Sequence, residues 1–207
     1  MARVRPDMNH VTCQITMSLD GFVAGPDQSV REPLGENGEA LHRWMFEAEP
    51  GSIDRAIGAS VGAGVGAYVM GRNMFGGGPG EWEESWRGWW GENPPYHAAV
   101  HVLTNHPREP LEMEGGTTFH FVTEGPERAL ELARAAAGER EVHIAGGADC
   151  VRQYLRLGAI DELWLRTAPL LLGSGERLFE DVGDVRFEQL ETIHSPLASH
   201  VRYRIVR

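Results

Sequence analysis

Three short apolar runs separated by two amphipathic ones constrain this chain more than any other feature. Residues 118–123 and 141–145 read as strands, and 126–137 between them reads as a helix with Pro126 at its start. Residues 148–157 place Val151, Tyr154 and Leu155 on one helical face, and 161–167 is again a strand. A strand–helix–strand–helix–strand order joins its strands through crossovers, which are right-handed in nearly all proteins. The fold class implied is α/β, with a mostly parallel central sheet and flanking helices.

The rest of the chain supplies edges and loops. Residues 11–17 (VTCQITM) alternate as a strand and are stopped by the turn chemistry of Ser18-Leu19-Asp20-Gly21. Residues 25–38, rich in Gly, Pro, Asp and Asn, form a long loop of the kind that often carries function. Leu41, Trp44 and Met45 at helical spacing predict a short amphipathic helix over 39–48. A second helix over 53–66 is opposed by Gly58, Gly62, Gly64 and Gly66. Tyr68-Val69-Met70 and 100–104 are buried strands, and 185–192 with 200–206 alternate like a C-terminal antiparallel hairpin. Between them, 76–97 is an irregular insertion holding Trp82, Trp86, Trp89 and Trp90, either an aromatic wall for a flat ring or plain packing. Residues 1–9 read as a loose N-terminal leader and 10–207 as a single domain.

Composition removes several classes of function. A net charge of -11 argues against a surface for phosphate backbones, so no nucleic-acid partner is expected. No run approaches the roughly 18 apolar residues of a membrane span. Cys13 and Cys150 are too few for a disulfide framework or a zinc site, which points to a reducing, cytoplasmic setting. His97 and His101 have no acidic or cysteine partner at ligand spacing, so no metal is assigned. No local signature of a hydrolytic triad is present.

Three strand ends converge on one kind of chemistry. Gly146-Gly147 sits between a strand and the helix beginning at Ala148, where bare backbone amides suit a pyrophosphate, although tight turns need glycine in any case. Gly71-Arg72-Asn73 ends the Tyr68 strand with a cation, or with an ordinary surface arginine. Thr104-Asn105-His106-Pro107-Arg108 ends a third strand with hydroxyl, amide and cationic groups. Ligands of open α/β sheets lie outside the carboxyl ends of the strands, so the three together outline a dinucleotide site.

The ordered set Met17-Ser18-Leu19-Asp20-Gly21, Val69-Met70-Gly71-Arg72, Val102-Leu103-Thr104, Ala145-Gly146-Gly147 and Asp161-Glu162-Leu163 to Leu171-Leu172-Gly173 resembles the reductase domain of the riboflavin-biosynthesis deaminase-reductases. More distantly it resembles dihydrofolate reductase. The resemblance spans 11 to about 206 and implies a dihydrofolate-reductase-like fold and an NADPH-dependent reductase acting on a small heterocyclic or sugar-linked molecule. It implies that Gly71, Arg72, Asn73, Thr104, Gly146, Gly147 and Ala148 line the NADPH site, joined by Asn105 of the third strand end. His106 or Arg108 would meet the 2′-phosphate. It places Asp20 of the S-L-D-G motif, a candidate proton relay, and Trp44 at the substrate, with a mobile loop from Gly21 onward over the nicotinamide; Asp-Gly is equally ordinary turn chemistry.

The sequence also departs from its relatives. No H-x-E with P-C-x-x-C is present, so the zinc deaminase half is absent. On the first helix Leu41-His42-Arg43-Trp44-Met45 lacks the acid of dihydrofolate reductases, and Glu39 is the nearest carboxylate, which argues against folate reduction. A non-catalytic nucleotide- or partner-binding module that keeps the fold is the rival reading. The exposed edge of the C-terminal hairpin predicts a homodimer.

Overall fold

A computed structural model describes residues 9–78 and 80–206. Apart from Asn9, the expected leader lies outside the described residues. Asn9 itself donates its side-chain amide to the carbonyls of Gly138 and Arg140.

Among the described residues eleven strands and five α-helices follow one another. They are β1 (Val11–Ser18), β2 (Phe22–Ala24), α1 (Arg43–Phe46), α2 (Ile53–Ser60), β3 (Val65–Gly71), α3 (Arg72–Phe75), β4 (Ala99–Leu103) and β5 (Leu111–Glu112). There follow β6 (Thr118–Val122), α4 (Pro126–Ala137), β7 (Glu141–Gly146), α5 (Ala148–Arg156), β8 (Glu162–Ala168), β9 (Glu176–Arg177), β10 (Arg186–His194) and β11 (Ser199–Val206). Nine strands form one sheet in the order β10-β11-β8-β1-β7-β3-β4-β6-β5. Its centre, β8-β1-β7-β3-β4-β6, is parallel throughout, and β11 and β10 extend it antiparallel at one edge. The α/β class and the C-terminal hairpin expected from the sequence are what the chain forms.

Two expected elements differ. The helix expected over 39–48 is a 3-10 turn (Gly38–His42) followed by the single turn of α1. The second ends at Ser60, because Gly62 and Gly64 adopt φ of +84° and +82° and turn the chain into β3. The short ladder of β2 with β9 was not expected; Phe22 faces Arg177 and Ala24 faces Glu176, which pins the start of the long loop.

Alternation decides what each face of the sheet buries. Val11, Cys13, Val142, Ile144, Ala67, Val69, Leu163 and Leu165 point toward α4 and α5 and meet Ala129, Ala133, Val151 and Tyr154 in one apolar core. On the opposite face the sheet divides. Over β3, β4 and β6, Tyr68, Met70, Val100, Val102 and Phe119 pack with Phe75 and the tryptophan-rich insertion. Over β1, β8 and β11 the same face carries Thr12, Gln14, Thr16, Trp164, Arg166 and His200, a polar surface roofed by α1 and α2.

Gly66 marks the closest approach of helix to sheet. A Cβ there would stand 2.7 Å from the Ala137 carbonyl oxygen and 2.8 Å from Ala137 Cα, at the end of α4. Backbone cannot yield as a flexible side chain can, so Gly66→Ala should cost about 1–3 kcal/mol. Thermal unfolding is the check: we expect Tm to fall by ~2–4 °C per kcal/mol lost, and an unchanged Tm would show that α4 does not press on β3.

Candidate functional site

The carboxyl ends of the parallel strands bring the three motifs together. β7 and β3 are neighbours, and their register runs Val69 opposite Ile144 and Met70 opposite Gly146, so Ala145 is an extra residue at the end of β7. Such a bulge re-aims the strand end. A Cβ on Gly71 would lie 3.2 Å from Cys150 Cβ on α5 and 3.8 Å from the Gly147 nitrogen, so the end of β3 touches the β7–α5 turn directly. Gly147 precedes Ala148 as the cap of α5, and no side chain satisfies the first amides of that helix. A side chain added at Gly147 would meet nothing within 4 Å, so the space above the turn is open.

Arg72 links this turn to the third strand end. Its Nη1 donates to Thr104 Oγ1 at 3.4 Å, and Thr104 Oγ1 accepts the His106 amide at 3.1 Å. The Arg72 guanidinium lies 3.2 Å from the centroid of Trp82, and Arg108 lies 5.3 Å from the same ring. Trp82 donates its indole N–H to the His106 carbonyl at 2.8 Å. Arg72 also donates to the carbonyls of Gly78 and Gly80, and Arg108 to those of Glu84 and Trp86. Two donors remain: Arg72 Nε and Arg108 Nη1 are buried without a hydrogen-bond partner among the described residues. Asn73 and Asn105 are exposed beside them. Of the insertion's tryptophans, Trp82 belongs to this cationic group, whereas Trp86 with Trp89 and Trp90 with Phe119 serve packing.

Asp20 stands elsewhere, beyond the end of β1. Its carboxylate accepts hydrogen bonds from Ser18 Oγ at 2.5 Å, the Gly173 amide at 2.7 Å and the Leu172 amide at 3.1 Å. The Ser18 hydroxyl above all, then the two amides, hold its pKa down to about 2. At neutral pH it is ionised and cannot give up a proton. Trp44 departs from its expected place at the substrate: it is 1% exposed, its indole N–H donates to Thr16 Oγ1 at 3.1 Å, and its ring meets His200 edge-on. Apolar spacing put Trp44 on the inner face of its turn, and that face is filled core.

Residues 9–197 match the RibD C-terminal domain family. The chain belongs to that family. Among solved structures it is similar to a putative riboflavin biosynthesis protein from Shewanella sp. PV-4, at 22% identity and a TM-score of 0.63, covering 96% of this chain and 99% of that one. It is similar also to the dihydrofolate reductase of Enterococcus faecalis complexed with NADP(H), at 15% identity and a TM-score of 0.55 over 95% and 96% of the two chains. The third is the Thermotoga maritima diaminohydroxyphosphoribosylaminopyrimidine deaminase/5-amino-6-(5-phosphoribosylamino)uracil reductase, at 15% identity and a TM-score of 0.56; 95% of this chain covers 56% of that one. These likenesses show the dihydrofolate-reductase-like fold. No curated protein matches the chain in sequence.

Sequence reasoning missed the titratable groups inside this RibD C-terminal domain. Arg166, His143 and His200 are all buried, and Arg166 donates to Gln14 Oε1 at 2.6 Å. Their signal was present in the alternation: Thr12, Gln14 and Thr16 on one central strand and Trp164 and Arg166 on the next put polar atoms on a face that a roofed sheet must bury. No helix among the described residues is long and apolar enough to cross a membrane.

Burial, first, lowers the pKa of His42, His101 and His143 from 6.5 to about 4. In the unfolded chain these rings protonate near 6.5, so between about 6.5 and 4 the unfolded state binds more protons than the folded one, and stability must fall as pH falls. We expect Tm to be highest above pH 6.5 and to drop steadily toward pH 4. A Tm that is flat across that window would contradict neutral, buried rings.

Proposed function

We propose that this chain is an NADPH-dependent reductase that delivers hydride to a small heterocyclic or sugar-linked substrate, the reaction class named for the Thermotoga maritima neighbour. The observation that carries the reading is the junction at Gly71, Gly146 and Gly147, where two strand ends and an uncapped helix start meet beneath open space. Amides at Gly147 and Ala148 would hold the pyrophosphate, as helix N-termini do. Arg72, Asn73, Thr104 and Asn105 would border the adenosine side, and His106 or Arg108 would take the 2′-phosphate. Glu81 stands 3.2 Å from His106 Nδ1 and would yield to that phosphate.

NADPH, when bound, supplies the hydride, so the chain needs no nucleophile of its own. Its residues bind, orient and exclude water. Asp20, already ionised, would act on the substrate side by clamping residues 172 and 173 against the end of β1. A proton must then come from another group or from water. Cys13 and Cys150, both free and buried, suit a reducing cytoplasm. We propose further that the molecule is a homodimer joined through the exposed edge strand β10, whose Phe187 is 37% exposed. Light scattering at micromolar concentration should give twice the chain mass; a monomer mass would contradict the dimer and leave the cofactor reading standing.

NADPH should raise Tm, as any ligand specific for the native state does, and should do so more than NADH at equal concentration. Arg72→Glu should weaken NADPH binding by about tenfold or more, equivalent to ~1.4 kcal/mol. Absence of NADPH binding by calorimetry at pH 7 would remove the reductase reading. Binding without NADPH oxidation over a panel of pteridines, pyrimidines and quinones would favour the nucleotide-binding module instead.

A further inference from the structure

Under α2 the sheet holds a charge that the proposed reaction does not use. Arg166 is 3% exposed, donates from Nη2 to Gln14 Oε1 at 2.6 Å, and has its Nε buried without a hydrogen-bond partner. Among the described residues it forms no ion pair. No carboxylate among them reaches its guanidinium within ion-pair distance, and the nearest buried one is set off from it by the His200 ring. The Trp44 ring centroid lies 4.8 Å away. Burial pushes the Cys13 thiol up to about 12, and burial, then Arg166 itself, lowers His42 and His143 to about 4. Burial lowers His200 as well. Asp54, the buried carboxylate on α2, accepts from His200 Nε2 at 2.7 Å. Arg166, although its pKa is lowered by burial to about 10, remains a cation at neutral pH.

A buried guanidinium with no carboxylate in direct contact is costly to desolvate, and a carboxylate that reached it would offset part of that cost. A route for such a ligand exists. Arg166 lines a polar depression of about 260 Å³ between the sheet and α2, with Gln14, Trp164, Ile57 and Arg202 among its walls. The carboxylates at its rim do not neutralise Arg166: Glu162 is held by Arg202 at 3.5 Å and by His10 at 3.8 Å, and Glu141 stands at the first residue of β7. The larger depression, about 400 Å³ between α4 and α5, is lined by Leu130 and Leu157 together with Glu127, Glu131 and Arg134, and its arginine is only half-buried with acidic residues beside it.

We propose that the depression beneath α2 is a binding site for a small planar organic carboxylate, whose two oxygens meet the Arg166 fork in place of the Gln14 carbonyl while its ring lies between Trp164 and Ile57. Arg favours such ligands because its parallel N–H groups match the two carboxylate oxygens. The site is separate from the strand-end junction and stands whether or not the chain binds NADPH.

Benzoate and its neutral isostere benzamide are the probes, read by Tm and by tryptophan emission, since Trp44 and Trp164 flank Arg166. Benzoate should raise Tm and change the emission, and benzamide at the same concentration should do neither. Gln14→Glu places a carboxylate inside the fold at the same guanidinium, so it should raise the ligand-free Tm and weaken benzoate at least tenfold. Arg166→Met should abolish the benzoate response without lowering Tm, because it removes a buried charge that has no direct ion-pair partner. The proposal is overturned if wild type ignores benzoate, if benzamide acts equally, if Gln14→Glu binds benzoate as wild type does, or if Arg166→Met unfolds at a lower temperature.

Discussion

The close approach of β3 and β7 at their carboxyl ends sets the rest of the molecule. Met70 pairs with Gly146 only because one residue of β7 bulges out, and Gly71 fits against Cys150 of α5 only because it has no side chain. With the strands held so near, α5 must start beside the end of β3, and the space above its first turn is open. A side chain at Gly71 would crowd Cys150 at the start of α5. The cradle proposed for a pyrophosphate would therefore be a property of backbone packing before it is one of charge.

Charge enters through the insertion between α3 and β4. Trp82 lies against both Arg72 and Arg108 and donates to His106, which gathers three basic residues at the same strand ends of an otherwise acidic chain. Cation–π contact holds a guanidinium in place without cancelling its charge, as a carboxylate would. The remaining tryptophans bury the outer part of that sheet face. Over β1 and β8 the same face has no such apolar roof, and its polar side chains are covered by two short helices that leave Arg166 lining a depression.

Much of this order was legible in the residues. The helix over Pro126–Ala137 and the strands on either side carried clean periodicity, and the helix following Gly147 had both its start signal and its apolar face. The turn of Gly146 and Gly147 could be located because paired glycines between a strand and a helix start mark a tight junction. Trp44 misled because helical spacing shows that a residue faces inward without showing whether a cavity or a packed core awaits it. Asp20 was ambiguous for a different reason: its partners at 172 and 173 lie some 150 residues away in sequence, and a contact of that range leaves no local trace. The long loop beginning at Gly21 is pinned by β9 for the same reason. Arg166 went unremarked because a single arginine in an apolar strand looks like an edge residue until β11 is found to cover it.

Amide hydrogen exchange over residues 141–152, with and without NADPH, tests the central claim most directly. If the amides that open α5 hold the pyrophosphate, exchange at Gly147 and Ala148 should slow markedly on addition of NADPH, with the depression beneath α2 unaffected. Binding of NADPH that leaves those amides exchanging as they do in the free protein would contradict the account.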